Sequence, residues 1–329
     1  MILNIEKIRE ISCGAVRISE KDGYIEFDRF NSVQYENQKS NENFSNRSQA
    51  SSGVRIAVVT DSENLSFDYK NSPASSDPMG YFDIYRDAAM IAHVGGENES
   101  EGGVKISLGK GEKKLEIYFP WSKRSSIKDF TLDDNAKIKP LKRRLKLLAY
   151  GDSITQGYIA EYPSLTYISR LASMLDADVL NKGIGGDCFS DRIISSPDDF
   201  KPDIITVAYG TNDWNSHSAQ DTQRNIRRFF SLLRATYPEA KIFAITPIWR
   251  GDFDKKTQFP CTADKVEDMI RENIKGIYDI IVFSGWNLVP HLPEFFADKF
   301  LHPNDLGFGV YAGICPQRTR ADAARDSSR

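Results

Sequence analysis

Leu145-Lys146-Leu147-Leu148-Ala149-Tyr150-Gly151-Asp152-Ser153 is the stretch on which the reading of this chain turns. Its first six residues are apolar apart from Lys146, and Gly151 closes the run. A short continuous apolar segment of this kind predicts a strand covered on both faces. The pattern then repeats toward the C-terminus. Tyr162–Leu175 carries Leu165, Ile168, Leu171, Ala172 and Leu175 at helical spacing, and Val179–Asn181 reads as a second strand. Ile204–Tyr209, between Pro202 and Gly210, reads as a third strand. Thr222–Tyr237 repeats the helical spacing with Ile226, Phe229, Phe230 and Leu233. Ile242–Ile245, a helix over Ala263–Gly276 and a strand at Ile280–Phe283 complete the series. Apolar strands alternating with amphipathic helices predict a parallel sheet between helical layers. In such sheets ligands bind beyond the carboxyl ends of the strands.

Upstream of this stretch the texture differs. Ala15–Ile18, Tyr24–Phe27, Val54–Val59, Leu65–Tyr69, Gly80–Tyr85, Val104–Leu108 and Leu115–Phe119 are short alternating segments. Turn residues such as Glu20-Lys21-Asp22-Gly23 separate them. That pattern predicts an all-β sandwich or jelly roll. Asn37 to Gly53, rich in Ser, Asn and Gln, reads as a long surface loop. With Pro140–Arg144 as the boundary, the expected division is 1–140 for the β-domain and 141–329 for the α/β domain.

The chain has 329 residues and a formal net charge of -3, which excludes a global field for nucleic acid or an anionic membrane. The basic run Lys142, Arg143, Arg144 and Lys146 reads as a solvated face. Cys13, Cys188, Cys261 and Cys315 are scattered without a CxxC pair, unlike a disulfide framework or a zinc site. Glu6, Lys7 and Arg9 stand where a signal peptide would need an apolar core, and no run of 18 apolar residues occurs. The expected location is therefore cytoplasmic, or secreted if a leader has been removed, with no membrane partner.

The chemistry collects at the predicted strand ends. Gly151-Asp152-Ser153 follows the first strand, and Asn181-Lys182-Gly183-Ile184-Gly185-Gly186 follows the second. Gly210-Thr211-Asn212-Asp213 follows the third, and Asp298-Lys299-Phe300-Leu301-His302-Pro303 lies near the C-terminus. Acyl transfer by serine requires a hydroxyl, a base, a group orienting that base, and donors for the oxyanion. Ser153, His302 and Asp298 supply the first three. The N–H groups of Ser153 and Gly186 and the amide of Asn212 supply the fourth. Glycine at 186 suits a backbone N–H that must approach substrate closely.

These four blocks resemble the SGNH, or GDSL, hydrolase family of serine esterases. The likeness runs from about Leu145 to Ala312. It implies a flavodoxin-like three-layer α/β/α domain and a serine hydrolase with no metal and no cofactor, whose oxyanion donors are Ser153, Gly186 and Asn212. One departure is visible. The family usually places an aspartate three residues before the histidine, where this chain has Lys299. Either a turn longer by one residue brings Asp298 to the imidazole, the favoured reading, or a backbone carbonyl orients His302 and leaves a dyad. Asp305 reads instead as the cap of a helix starting near Leu306. The β-domain ahead of this domain is also similar to carbohydrate esterases that join a jelly roll to an SGNH domain and remove acetyl groups from sugars.

The expected function is hydrolysis of a short acyl ester, acetyl above all, on a small molecule or oligosaccharide. The alternatives are a lipase or thioesterase for longer chains, and a carbohydrate-binding protein without catalysis. Trp214, Trp249 and Arg250 follow the third and fourth strands and are the candidates for substrate binding. Asp152 reads as a loop-holding group, Asp213 as a stabiliser of its own turn, and Cys188 as packing. His93, His217 and His291 read as surface residues, with His217 close enough to Asn212 to be weighed as pocket-lining. The tail from Gly313 is polar and reads as a disordered terminus.

Overall fold

A computed structural model describes residues 1–313. The tail assigned to disorder lies almost entirely outside the described residues. The chain divides into two compact units, Met1–Arg144 with Tyr162–Ser164, and Leu145–Glu161 with the remainder from Leu165.

The first unit is a sandwich of two antiparallel sheets. One sheet runs in the order Ser12–Cys13, Arg55–Thr60, Lys113–Tyr118, Tyr81–Arg86 and Ala89–Gly95, and Ile138–Pro140 also pairs with Arg55–Thr60. The other runs Arg17–Lys21, Tyr24–Asp28, Lys123–Leu132, Asn64–Pro73 and Glu101–Ser107. Alternate residues of both sheets meet in one buried cluster that includes Phe27, Phe67, Phe82, Leu115, Ile117 and Phe130. Phe67 meets Phe82 across the sandwich with ring centroids 5.8 Å apart. Lys123–Leu132 escapes a period-two reading because a bulge between Lys128 and Thr131, with Asp129 at φ 51°, shifts the inward positions from Ser125 and Ile127 to Phe130 and Leu132.

The expected loop over Asn37–Gly53 is incorrect. Helices Ser32–Gln38 and Glu42–Ser48 occupy this region, N-capped by Asn31 and Asn41. Its interior is polar: the buried Arg29 guanidinium donates to Ala50 O at 2.5 Å and Arg47 O at 3.2 Å. These bonds satisfy carbonyls at the end of the second helix, so the region needs few apolar residues. His93 also departs from expectation. It is half-buried, with Nδ1 2.6 Å from Asp83 Oδ1 and its ring stacked 4.3 Å from Tyr81.

The second unit holds five parallel strands, Leu145–Gly151, Ala177–Asn181, Ile204–Ala208, Lys241–Ile245 and Ile280–Phe283. The order in space is second, first, third, fourth, fifth, the flavodoxin-like arrangement. The first strand lies in the middle, pairing Leu148 with Leu180 on one side and with Ile205 on the other. Leu147 to Gly151 are all buried, as a strand covered on both faces requires. Helices Tyr167–Leu175, Ala219–Thr236 and Val266–Ile274 carry the apolar stripes, the first two capped by Thr166 and Ser218. A last helix covers 305–313. Its cap is Asn304, whose Oδ1 accepts from Gly307 N at 3.0 Å, and not Asp305. Asp305 Oδ1 accepts from Glu161 N instead, at 3.2 Å. Among the described residues no helix is long and apolar enough to cross a membrane.

Candidate active site

The first strand ends at Gly151, and Ser153 opens a short helix, Ser153–Gln156. Asp152 caps that helix by accepting from Ile154 N at 2.9 Å, and Gly157, at φ 104°, stops it. Gly151 admits no side chain, since a Cβ there would lie 2.0 Å from Thr155 Oγ1. The turn is therefore tight, and it presents the Ser153 hydroxyl beyond the strand end.

Ser153 Oγ lies 2.8 Å from His302 Nε2. On the far side of the ring, His302 Nδ1 lies 2.6 Å from Asp298 Oδ2. The other carboxylate oxygen of Asp298 accepts the N–H groups of Phe300, Leu301 and His302, at 3.1, 2.8 and 3.0 Å. Burial alone would raise the Asp298 carboxyl. The hydrogen bonds from the imidazole and the three amides outweigh it and hold the group at about 2, so it is an anion at neutral pH. Lys299 provides the extra residue of the turn by entering the left-handed region at φ 69°. That local conformation brings a carboxylate four positions before the histidine back to the imidazole. The Tyr158 ring meets the His302 ring edge-on at 4.7 Å, a contact with no signal in the sequence.

Three loops are tied together around Ser153. Asn181 Nδ2 donates to Thr155 O at 2.7 Å, and Gly185 N donates to Gln156 Oε1 at 2.7 Å. Ile184 N donates to Gly151 O at 3.0 Å. Asn212 Nδ2 gives one hydrogen to Asp187 O at 3.1 Å, and the other has no acceptor among the described residues. The Ser153 and Gly186 N–H groups have no acceptor among the described residues. Gly186 is exposed and sits at φ 82°.

Beneath these loops lies a buried acidic layer. Burial raises Asp152 to about 7 and Asp187 to about 6, and it also raises Asp213. Asp187 is held by Arg192, by Cys188 N at 2.9 Å and by Tyr209 OH at 3.2 Å. Burial pushes the Cys188 thiol up as well, the opposite of what a thiolate nucleophile requires.

Residues 149–310 match the model of the GDSL-like Lipase/Acylhydrolase family. Over that span, just under half of the chain, the sequence is similar to this family. No curated protein matches the sequence. Among solved structures, the salicylyl-acyltransferase SsfX3 from a tetracycline biosynthetic pathway is 20% identical, with a TM-score of 0.80 over 95% of this chain and 94% of its own. An acetyl xylan esterase from the rumen bacterium Butyrivibrio proteoclasticus is 17% identical, with a TM-score of 0.66 over 98% of both chains. A family two carbohydrate esterase from Clostridium thermocellum, in complex with cellohexaose, is 15% identical, with a TM-score of 0.65 over 84% and 94%. These likenesses show a shared fold.

Within the GDSL-like domain, two of the three expected substrate contacts are incorrect. Trp214 is fully buried, and its Nε1 donates to Cys261 O at 2.9 Å. Arg250 is 3% exposed, and its guanidinium packs 4.7 Å from the Trp214 ring. Arg250 donates to Thr211 O and Oγ1, both at 3.1 Å, and to Asp252 at 2.6 and 3.0 Å. Their polar atoms are committed to protein partners, so both residues shape the floor of the Asn212 turn and do not face substrate. Trp249 is partly exposed, stacked 5.5 Å from His291 and tilted against Phe296 at 5.1 Å. Phe296 pairs with Pro303, next to His302.

Proposed function

We propose that this GDSL-like protein is a serine ester hydrolase that removes acetyl groups from a carbohydrate. The observation that carries the reading is the continuous relay from Ser153 Oγ through His302 to Asp298, with links of 2.8 and 2.6 Å. His302 Nε2 takes the Ser153 proton as Oγ attacks the ester carbonyl. The anionic Asp298 fixes the tautomer with hydrogen on Nδ1 and stabilises the imidazolium that forms. The developing oxyanion is taken up by the N–H groups of Ser153 and Gly186 and by the uncommitted hydrogen of Asn212. Collapse expels the sugar hydroxyl, which receives the proton from His302. Water then attacks the acyl-enzyme with His302 as base, and acetate leaves.

The match to an acylhydrolase family over residues 149–310 supports the ester chemistry. The printed names of the esterase structures support a sugar acetate as substrate. A short acyl group fits the absence of a long apolar lid segment in the sequence. The test is a ladder of p-nitrophenyl esters from acetate to octanoate, together with acetylated xylan, glucomannan and monosaccharide acetates. Activity highest on acetate and on one carbohydrate class is the expected result. Activity that rises toward octanoate contradicts the acetyl assignment and favours a lipase or thioesterase. Acyl transfer to an added alcohol in preference to water contradicts hydrolysis.

A further inference from the structure

One group of side chains in the second unit has chemical capacity that ester hydrolysis does not use. Cys188 Sγ, a carboxylate oxygen of Asp213 and a ring nitrogen of His217 all lie within 4.8 Å of one another. Asp213 lies in the short helix Thr211–Ser216, and His217, four residues on, is the residue that caps its C-terminal end. Cys188 approaches from the loop that follows Gly186. We propose that these three side chains form a site for a thiophilic divalent cation of the zinc class.

Three observations support the assignment. The thiol is 9% exposed, and its one polar contact is a long one, 3.9 Å to Gly186 O. His217 Nδ1 is itself buried and has no hydrogen-bond partner among the described residues, although Asp213 Oδ1 lies 3.6 Å away. An imidazole nitrogen that faces a carboxylate at ion-pair distance and has a thiol close by has the disposition of a ligand. The surroundings are also rich in carboxyl groups: Asp152 and Asp187 are buried beside Asp213, and Arg192 is committed to Asp187. Such a layer draws a cation and not an anion.

The donor set is sulfur, nitrogen and oxygen, which selects zinc or cadmium over magnesium or calcium. A tetrahedral zinc with these ligands needs donor separations of about 3.3–3.6 Å. The donors lie within 4.8 Å of one another, so the arrangement needs to contract by no more than about 1.5 Å, which His217 can supply, since it caps its helix and is 38% exposed. Its exposed edge leaves a fourth position for water. On binding, the Cys188 S–H bond breaks, a sulfur–metal bond forms and the thiol proton passes to solvent. Thiolate and carboxylate together balance the two positive charges.

The ion would join the loop carrying Gly186 to the helix carrying Asn212. Those two elements already meet through Asn212 Nδ2 to Asp187 O and Phe189 N to Asp213. Its role is to brace them, and no catalytic step passes through it.

The test uses the full chain, stripped with a chelator and desalted. Cadmium titration should produce the ultraviolet thiolate-to-cadmium charge-transfer band, saturating at one equivalent, and zinc should raise the melting temperature. Both responses should weaken by at least about tenfold in metal affinity in Cys188→Ser and in His217→Ala. They should persist in Cys261→Ser. His217→Ala alters a partly exposed side chain and gives a second route to the answer if Cys188→Ser fails to fold. A wild-type chain with no band and no zinc-dependent rise in melting temperature would overturn the proposal. So would full binding in either ligand variant. None of these readouts depends on esterase activity, so the result stands apart from the fate of the ester-hydrolase reading.

Discussion

Asp298→Asn tests the relay at its most constrained point. In the folded chain one carboxylate oxygen accepts three backbone N–H groups, and the other accepts from His302 Nδ1 at 2.6 Å. An asparagine cannot serve both sides. With its oxygen turned to the three amides, its NH₂ faces Nδ1 and forces the ring hydrogen onto Nε2. That tautomer cannot accept the Ser153 proton. The opposite orientation would point the NH₂ at three N–H donors, so the protein holds the unproductive arrangement. The expected loss in kcat is about 10⁴-fold, equivalent to ~5 kcal/mol of transition-state stabilisation. The effect on stability is smaller. The Asp298 carboxyl titrates lower in the folded chain than in the unfolded one, so its contribution is fully present above the unfolded value and is lost as pH falls through about 2. Allowing for solvent screening of a partly exposed carboxylate, that contribution is ~1 kcal/mol. The assay is kcat on p-nitrophenyl acetate with melting temperature measured alongside. A variant that retains kcat within tenfold of the unaltered enzyme, with its fold intact, would refute the reasoning and assign ring orientation to a backbone carbonyl.

Further expectations concern the oxyanion side and the core. Asn212→Ala should lower kcat by about 10²–10³-fold and leave KM near its starting value, as steady-state kinetics on the acetate ester will show. Gly186→Ala places a side chain at φ 82° and should lower both kcat and melting temperature, with strain of ~1 kcal/mol. Trp214→Ala should cost about 3–5 kcal/mol of stability in a urea titration without a selective rise in KM, because the ring is core and not a substrate contact. Asp152, raised by burial to about 7, is protonated in the folded chain where the unfolded chain is ionised. Its burial therefore makes stability fall as pH rises from about 4 to about 7, and Asp152→Asn should flatten that slope in melting curves across the window.

The parallel half of the fold was legible because its strands are buried on both faces. Leu145–Gly151 and its neighbours read as apolar runs with no competing pattern. The blocks around Ser153, Gly186, Asn212 and His302 were legible for a related reason: each stands where an apolar strand or a closing helix meets a polar turn. What escaped the sequence depends on contacts distant along the chain. Nothing in the string shows that Lys299 adopts a left-handed conformation, which is what lets Asp298 reach His302. Trp214 and Arg250 follow strand ends as substrate residues would, but the carbonyls of Cys261 and Thr211 take up their donors. The helices over 32–48 were hidden because a buried arginine, and not an apolar stripe, organises their interior. The Cys188, Asp213 and His217 group was hidden because no short spacing links a cysteine in one loop to a histidine at the end of another element.

The most direct test of the serine relay is active-site titration with a p-nitrophenyl phosphonate followed by peptide mass spectrometry. The account predicts one adduct per chain, on Ser153, formed rapidly in the unaltered enzyme, very slowly in His302→Ala and not at all in Ser153→Ala. Absence of an adduct from the unaltered enzyme, or an adduct on any other residue while Ser153→Ala still turns over acetate ester, would contradict it.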